Sequence, residues 1–154
     1  MMWEKTIWES NAQNMVHEFH ETFGLVINEY PTLPSKEVLN LRVSLIDEEA
    51  EEFKLAAADG NMVEMADALG DLLYVVYGAA ISLGIDLEPV LEEIHRSNMS
   101  KAHLDGSVSR RDDGKVIKAP TYSPACVLDE LKKQGWVDPS WNDGEIPASV
   151  EERS

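Results

Sequence analysis

The chain has 154 residues, of which 44% are hydrophobic and 27% are charged, enough for one domain with a hydrophobic core. Its net charge of −16 argues against nucleic acid or an anionic membrane as a direct partner, because both require a basic surface. A single cysteine, Cys126, excludes an internal disulfide, and neither a signal peptide nor an apolar run of membrane-spanning length is visible, so we expect a soluble cytoplasmic protein.

Helical patterns begin near the start of the chain. Residues 6–23 have helical spacing and stop at Gly24, a residue that commonly ends helices. The prolines in residues 30–34 exclude a helix interior and predict an extended connector. Ser35 then reads as the cap of a second helix, whose apolar residues recur at spacings of three and four until the turn at Gly60.

Two further helices follow this turn. Asn61 predicts the start of a third helix that runs to Leu83 and is apolar on nearly all faces, as expected for the central helix of a bundle. Asp86 predicts the start of a fourth helix ending near Met99, and a short fifth helix is predicted over residues 124–134. We therefore predict an all-α bundle of four to five helices in residues 1–135, followed by a loosely ordered acidic tail in residues 136–154.

Carboxylates flank the predicted turn on both sides. Asp67 and Asp71 lie in a stretch, residues 65–83, that is otherwise almost wholly apolar. Because a carboxylate among apolar side chains is costly unless a cation meets it, we expect these two aspartates to be buried beside positive charge. The second helix supplies five acids within six residues: Asp47, Glu48, Glu49, Glu51 and Glu52.

The geometry of a helical hairpin predicts which acids meet. Positions equally far from Gly60 face each other, so Glu49 lies opposite Asp71, and Glu52 lies opposite Ala68, beside Asp67. Such a cluster repels itself unless cations are bound, and oxygen ligands suit Mg²⁺ or Mn²⁺ better than Zn²⁺. We predict a magnesium site, with manganese as an alternative ion, and a solvent-facing Glu51. The predicted ligands are Glu48, Glu49, Glu52, Asp67 and Asp71.

Two rival interpretations use the same acids. A di-iron carboxylate bundle requires two Glu-x-x-His motifs, and the sequence holds one, from Glu92 to His95. A non-catalytic acidic bundle that binds nucleotide, Ca²⁺ or a partner protein is the alternative from another functional class.

The ordered series of motifs resembles the all-α nucleoside triphosphate pyrophosphohydrolases, which include MazG-type proteins, dimeric dUTPases and phosphoribosyl-ATP pyrophosphohydrolases. The resemblance covers roughly residues 11–135 and rests on residues 17–20, 45–52, 66–78, 98–101, 113–115 and 122–124. It implies Mg²⁺-dependent cleavage between the α and β phosphates of a nucleoside triphosphate, giving the monophosphate and pyrophosphate. It also implies a homodimer or homotetramer, with dUTP or a non-standard nucleotide among the candidate substrates.

The resemblance assigns metal ligands with one departure. Glu49 and Glu52 match the family's Glu-x-x-Glu motif, and Asp71 matches the aspartate that closes its second motif. The glutamate expected three residues before Asp71 is Ala68, so either Asp67 or Glu64 replaces it.

The remaining roles follow from the same resemblance. Glu48 or Glu49 is the candidate for taking a proton from the attacking water. The departing pyrophosphate is expected to meet Asn98, Lys101 and Lys115. The candidates for contact with the nucleobase are Asn14, His17, Phe19, His20 and Tyr74.

Overall fold

A computed structural model describes residues 8–139 of the chain. Within that range five helices carry the fold, and the one extended pairing is an isolated antiparallel bridge between Arg110 and Val116. The predicted all-α class is confirmed. Thr6, the predicted start of the first helix, and most of the predicted tail lie outside the described residues. The helices are α1 (Asn11–Phe23), α2 (Lys36–Asp59), α3 (Met62–Leu83), α4 (Leu87–Met99) and α5 (Val127–Lys133).

Side-chain caps determine where the first four helices begin. Ser35 Oγ accepts a hydrogen bond from the Val38 amide at 3.3 Å, and Asn61 Oδ1 accepts one from the Glu64 amide at 3.2 Å. Helix α1 starts at Asn11 rather than near residue 6 because Ser10 caps it, its hydroxyl accepting from Gln13 at 3.4 Å.

The fifth helix is shorter than predicted. The Cys126 amide donates to Glu93 Oε1 at 2.9 Å, so a side chain of α4 fixes the segment before α5 and no helical turn forms there. Beyond α5 the chain remains packed, because the amide of the half-buried Trp136 donates to the Leu131 carbonyl at 2.9 Å. The predicted start of the tail at residue 136 therefore falls inside the ordered part of the chain.

Helices α2 and α3 form an antiparallel hairpin, and α1 packs against α3. A small core formed by Trp8, Val16 and Ile81 joins α1 and the residue Trp8 before it to α3. Helix α3 contacts both α1 and α2, as expected of a central helix. Its predicted enclosure is wrong for this single chain, however, because Leu69 is 50% exposed and Leu73 is 52% exposed. Among residues 8–139, no element covers that face.

Helix α3 is long and apolar enough to cross a membrane by length and composition, with a mean hydropathy of 1.3 over Met62–Leu83. The expectation that no helix reaches this length and composition is therefore wrong. Core helices of soluble proteins pass the same test. Asp67 and Asp71 lie within this helix with their side chains exposed, and exposed carboxylates are costly in lipid.

The connector between α1 and α2 lies against the C-terminal end of α3 at Gly84. This glycine has φ +72°, and a Cβ there would overlap the Tyr30 carbonyl oxygen. Gly60 has φ +64° but open space around it.

We expect Gly60→Ala to cost about 1–2 kcal/mol of unfolding free energy from backbone strain alone. Gly84→Ala adds an overpacking cost of about 1–3 kcal/mol. Urea denaturation of both variants measures the difference, and equal losses would contradict the close contact.

Candidate active site

A cavity of about 250 Å³ lies between α1, α2 and α3. Three lining residues of α2 face three of α3, and the two members of each pair are equally distant from Gly60 in the sequence. The structure thus brings Glu49 and Asp71 together as the hairpin geometry predicts. Helix α1 and Leu25, two residues beyond its end, close the third side. The α2–α3 pairs are Glu49 with Asp71, Leu45 with Val75 and Arg42 with Gly78, and the remaining lining residues are Val16, Phe19, His20, Leu25 and Tyr74.

The acidic end of the cavity is centred on Glu49. One of its carboxylate oxygens, Oε2, is shielded from solvent and has no hydrogen-bond partner. Burial raises the pKa of Glu49, and the negative charges of neighbouring acids raise it further. The other predicted ligands therefore all contribute negative charge at this carboxylate. The neighbouring acids, in decreasing order of effect, are Glu52, Asp71, Glu48 and Asp67.

The two aspartates of α3 are exposed, so the prediction that they are buried is wrong for the isolated chain. Leu69 and Leu73 are their neighbours in sequence, but side chains two positions apart on a helix point to nearly opposite sides, so an apolar sequence context does not bury these aspartates. Asp71 lines the cavity, whereas Asp67 acts on Glu49 from outside the lining. Exposed Glu64 serves the helix start, its amide donating to the Asn61 side chain.

The acids fit an oxygen-preferring divalent cation, although they are not gathered into a ready cage. Within residues 8–139 no three His, Cys, Asp or Glu side chains lie close enough together to hold one ion. The fit rests on the unpaired Oε2 of Glu49, a buried acceptor among like charges that a hydrogen-bond donor or cation has to satisfy. Carboxylate donors alone favour hard ions such as Mg²⁺, Mn²⁺ or Ca²⁺ over Zn²⁺.

The opposite end of the cavity is polar without being acidic. Arg42 is 7% exposed, its Nε has no hydrogen-bond partner, and burial lowers the pKa of its guanidinium. His20 is 1% exposed, and its Nδ1 lies 3.0 Å from the Val26 carbonyl oxygen. Because a carbonyl only accepts, we assign the proton to Nδ1, which leaves Nε2 as an acceptor. Burial lowers the pKa of His20, the hydrogen bond to Val26 raises it, and the charges of Arg42 and His17 lower it further, so the net shift is downward and favours the neutral ring.

Gly78 has no Cβ and so lets both side chains pack close against α3. A Cβ at this position would lie 3.2 Å from Arg42 Nη1 and 3.2 Å from His20 Nε2. Phe19 and Tyr74, which also line the cavity, meet edge to face, with ring centroids 5.5 Å apart and planes at 86°. Burial and the charge of Glu18 raise the pKa of Tyr74, which keeps its hydroxyl protonated. Of the predicted base-contacting residues, Phe19, His20 and Tyr74 thus share the cavity with Glu49 and Asp71.

The other two residues predicted to contact the base, Asn14 and His17, do not line this cavity. Asn14 exchanges hydrogen bonds with the backbone of Trp8, at 3.1 Å to its amide and 2.8 Å to its carbonyl. His17 Nδ1 accepts from Trp8 Nε1 at 3.1 Å, and its Nε2 lies 3.4 Å from Glu21. Their side chains fasten the segment before α1 onto that helix, so the structure does not bring them to the cavity, and their contact with a base stays a prediction.

The predicted phosphate-binding residues lie outside the cavity lining. Lys101 Nζ donates to Asn98 Oδ1 at 2.7 Å, just after α4. Lys115 is exposed in a tight turn, where its amide donates to Asp113 Oδ1 at 3.1 Å. Their predicted role remains a prediction, because no contact with the acidic end joins these lysines to the cavity within residues 8–139.

Sequence reasoning missed Arg42 and Gly78. Arg42 is the single arginine of α2 and stands seven residues before Glu49, which places both on one face of the helix. Gly78 stands seven residues after Asp71 on the facing helix. This matched spacing, together with an arginine inside an otherwise apolar stripe, is a signal that could have identified them.

Two comparisons with known proteins bear on the site. A family model described as phosphoribosyl-ATP pyrophosphohydrolase matches residues 16–98, a range that is more than half of the chain. The chain is also similar to an uncharacterized protein of Acanthamoeba polyphaga mimivirus, with 35% identity over 106 residues. That match covers 62% of this chain and 40% of the relative, so the chain spans well under half the length of that relative. The family match takes in every residue that α2 and α3 contribute to the cavity.

Proposed function

The chain belongs to the phosphoribosyl-ATP pyrophosphohydrolase family, within the MazG-like all-α superfamily, and we propose that it hydrolyses the α–β phosphate bond of a nucleoside triphosphate in a Mg²⁺-dependent reaction. The observation that carries this proposal is the unpaired, solvent-shielded Oε2 of Glu49 amid four other carboxylates. A cluster of this kind supports cation-assisted phosphate chemistry, because such a substrate brings further negative charge that the acids alone repel.

The acids divide into two roles in this proposal. Mg²⁺, when bound, neutralises the charge on the phosphate oxygens and acidifies a bound water. The residues that would hold it are Glu49, Glu52 and Asp71, with Asp67 as the substitute for the acid missing at Ala68. Glu48 is exposed beside Glu49 and is free to accept a proton.

The chemistry balances with water as the one co-reactant. The water oxygen attacks the α phosphorus, the bond from this phosphorus to the bridging oxygen breaks, and pyrophosphate leaves with the bonding electrons. The water proton passes to a carboxylate at the acidic end of the cavity, for which Glu48 and Glu49 are the candidates. Lys101 and Lys115 are proposed to meet the departing pyrophosphate from the loop after α4.

We also propose a homodimer or homotetramer. Leu69 and Leu73 are half exposed on one face of α3, and a second copy of the chain packed against this face would bury the apolar surface that residues 8–139 leave open. The strongly negative net charge of −16 supports the proposal that neither nucleic acid nor an anionic membrane is a direct partner.

The proposed activity is tested by measuring both products from a panel of ribo- and deoxynucleoside triphosphates with Mg²⁺ or Mn²⁺. We expect equal amounts of monophosphate and pyrophosphate from at least one substrate, and none when the metal is chelated. Release of orthophosphate and a nucleoside diphosphate would instead indicate cleavage between the β and γ phosphates and would contradict α–β cleavage. Nucleotide binding without turnover under either metal would instead support the non-catalytic bundle.

A further inference from the structure

The cavity has two polar layers that the same helices hold apart. Glu49 and Asp71 form the acidic layer, and Arg42 and Gly78 lie seven residues further along their helices. Seven residues are two helical turns, or about 10 Å of rise. In a substrate whose reacting phosphate sits at the acidic layer, the part that reaches the second layer is the far end of the nucleoside, which is the base.

The second layer offers hydrogen bonds that no described residue takes up. Arg42 is more than nine-tenths buried, and its Nε has no partner. His20 Nε2 is an acceptor, because its Nδ1–H is committed to the Val26 carbonyl. Arg42 Nη1 and His20 Nε2 both pack close against Gly78, each 3.2 Å from where a Cβ would stand, and both side chains line the cavity. A buried donor and a buried acceptor side by side call for a ligand edge that carries the complementary pair.

The surroundings favour a neutral planar ligand over an anion. An anion at Arg42 would lie beneath the carboxylates of Glu49 and Asp71, and His20 is neutral and adds no positive charge. Phe19 and Tyr74 give the cavity an aromatic wall, which suits the flat face of a nucleobase. Its volume of about 250 Å³ is below the range of about 300–1,000 Å³ usual for ligand pockets, which favours one ring over two.

Resting on the proposed function, we propose that Arg42 and His20 select a pyrimidine base at the end of the cavity away from the acids. Arg42 donates to a ring carbonyl oxygen, which the pyrimidine bases and guanine carry and adenine lacks. His20 Nε2 accepts from an N–H of the same base edge, the ring N–H of uracil or thymine or the amino group of cytosine. Guanine offers the same pair of groups, so the small volume of the cavity is what disfavours it. Gly78 allows Arg42 and His20 to lie close to α3 at this end of the cavity.

Binding of monophosphates tests this selection without requiring turnover, so its result is independent of whether the chain is a hydrolase. Calorimetric titration of the full chain with dUMP, dCMP, dAMP and dGMP, with Mg²⁺ present, gives the affinities. We expect both pyrimidine nucleotides to bind at least about 10-fold more tightly than either purine nucleotide. Arg42→Met should weaken pyrimidine binding by roughly 10- to 100-fold, since the lost hydrogen bond involves a charged donor.

Lys54→Met is the matched control, because it removes one positive charge from an exposed position of the same helix. It should leave all four affinities unchanged. Gly78→Ala provides a second route that does not depend on how well Arg42→Met folds, because alanine favours a helix and its methyl group would press on the Arg42 and His20 side chains and displace them. It should also reduce pyrimidine binding about 10-fold or more. Purine affinity equal to or above pyrimidine affinity, or unchanged pyrimidine binding in folded Arg42→Met or Gly78→Ala, would overturn the proposal.

Discussion

Pyrophosphate release is expected to fall by about 100- to 10,000-fold when Glu49 is replaced by glutamine, the range typical for loss of a positioned acid or base. Glutamine keeps the shape of the side chain but removes the charge that the proposed chemistry uses. Steady-state rates at saturating nucleotide and Mg²⁺ measure the effect. The same substitution should not weaken the fold, because Glu49 has no hydrogen-bond partner for Oε2 and is surrounded by like charges.

The direction of the stability change follows from the pKa of Glu49. Burial and the neighbouring carboxylates raise that pKa in the folded chain, so the ionised form weakens the fold at neutral pH when no cation is bound. The penalty disappears below the ordinary pKa of a glutamate, where the carboxyl is protonated in both states. It is fully present above the raised value. Thermal unfolding with a chelator present should therefore show Glu49→Gln at least as stable as the native chain at neutral pH.

Glu51→Gln is the matched control for both measurements. Glu51 lies on the same helix, is exposed, and pairs with Lys54 at 3.0 Å. We expect this change to leave the rate within about twofold, because an exposed ion pair contributes little to a site it does not line. A Glu49→Gln chain that keeps the native rate, or a Glu51→Gln chain that loses it, would remove Glu49 from its assigned role.

Adding Mg²⁺ or Mn²⁺ is expected to stabilise the native chain by about 2.7 kcal/mol when the free ion reaches 100 times its dissociation constant. The physical reason is that the ion binds the folded arrangement of carboxylates and relieves their mutual repulsion. Urea denaturation in a titration of the ion measures the gain, with a chelator giving the reference. Raising the ionic strength with NaCl to the same value separates binding from general screening.

The gain should shrink by at least half in Glu49→Gln, because the carboxylate with the buried oxygen is gone. An equal gain from NaCl, or an undiminished gain in this variant, would contradict a specific cation site centred on Glu49. Glu49 faces Asp71 across the cavity between α2 and α3. The comparison therefore tests a cation site between these two helices rather than the acidic surface as a whole.

Local chemistry in the sequence was sufficient to predict much of the fold. Asn61 and Ser35 mark helix starts because their side chains satisfy free amides, and Gly60 marks the turn because it adopts a positive φ. Once that turn was fixed, counting residues outward was enough to place Glu49 opposite Asp71. These inferences needed only interactions between residues close in sequence or symmetric about one turn.

Burial was predicted less well, because it depends on what covers a face rather than on the face itself. The apolar run of α3 suggested that Asp71 is enclosed, yet Leu69 and Leu73 beside it are half exposed. Arg42 was overlooked for the opposite reason. A lone arginine in a helix is usually a surface residue, and its burial results from the combined approach of His20 and Gly78, on two other helices.

The pairing of positions about Gly60 has a consequence for how members of such a family can diverge. The two layers share one register, so lengthening or shortening the turn by a residue would misalign both the acidic layer and the second layer, which is proposed to bind the base. Substitutions at Arg42, His20 or Gly78, in contrast, alter the second layer while leaving the acids two helical turns away in place. The hairpin therefore makes preference for a nucleotide easy to change and its hydrolytic chemistry hard to lose.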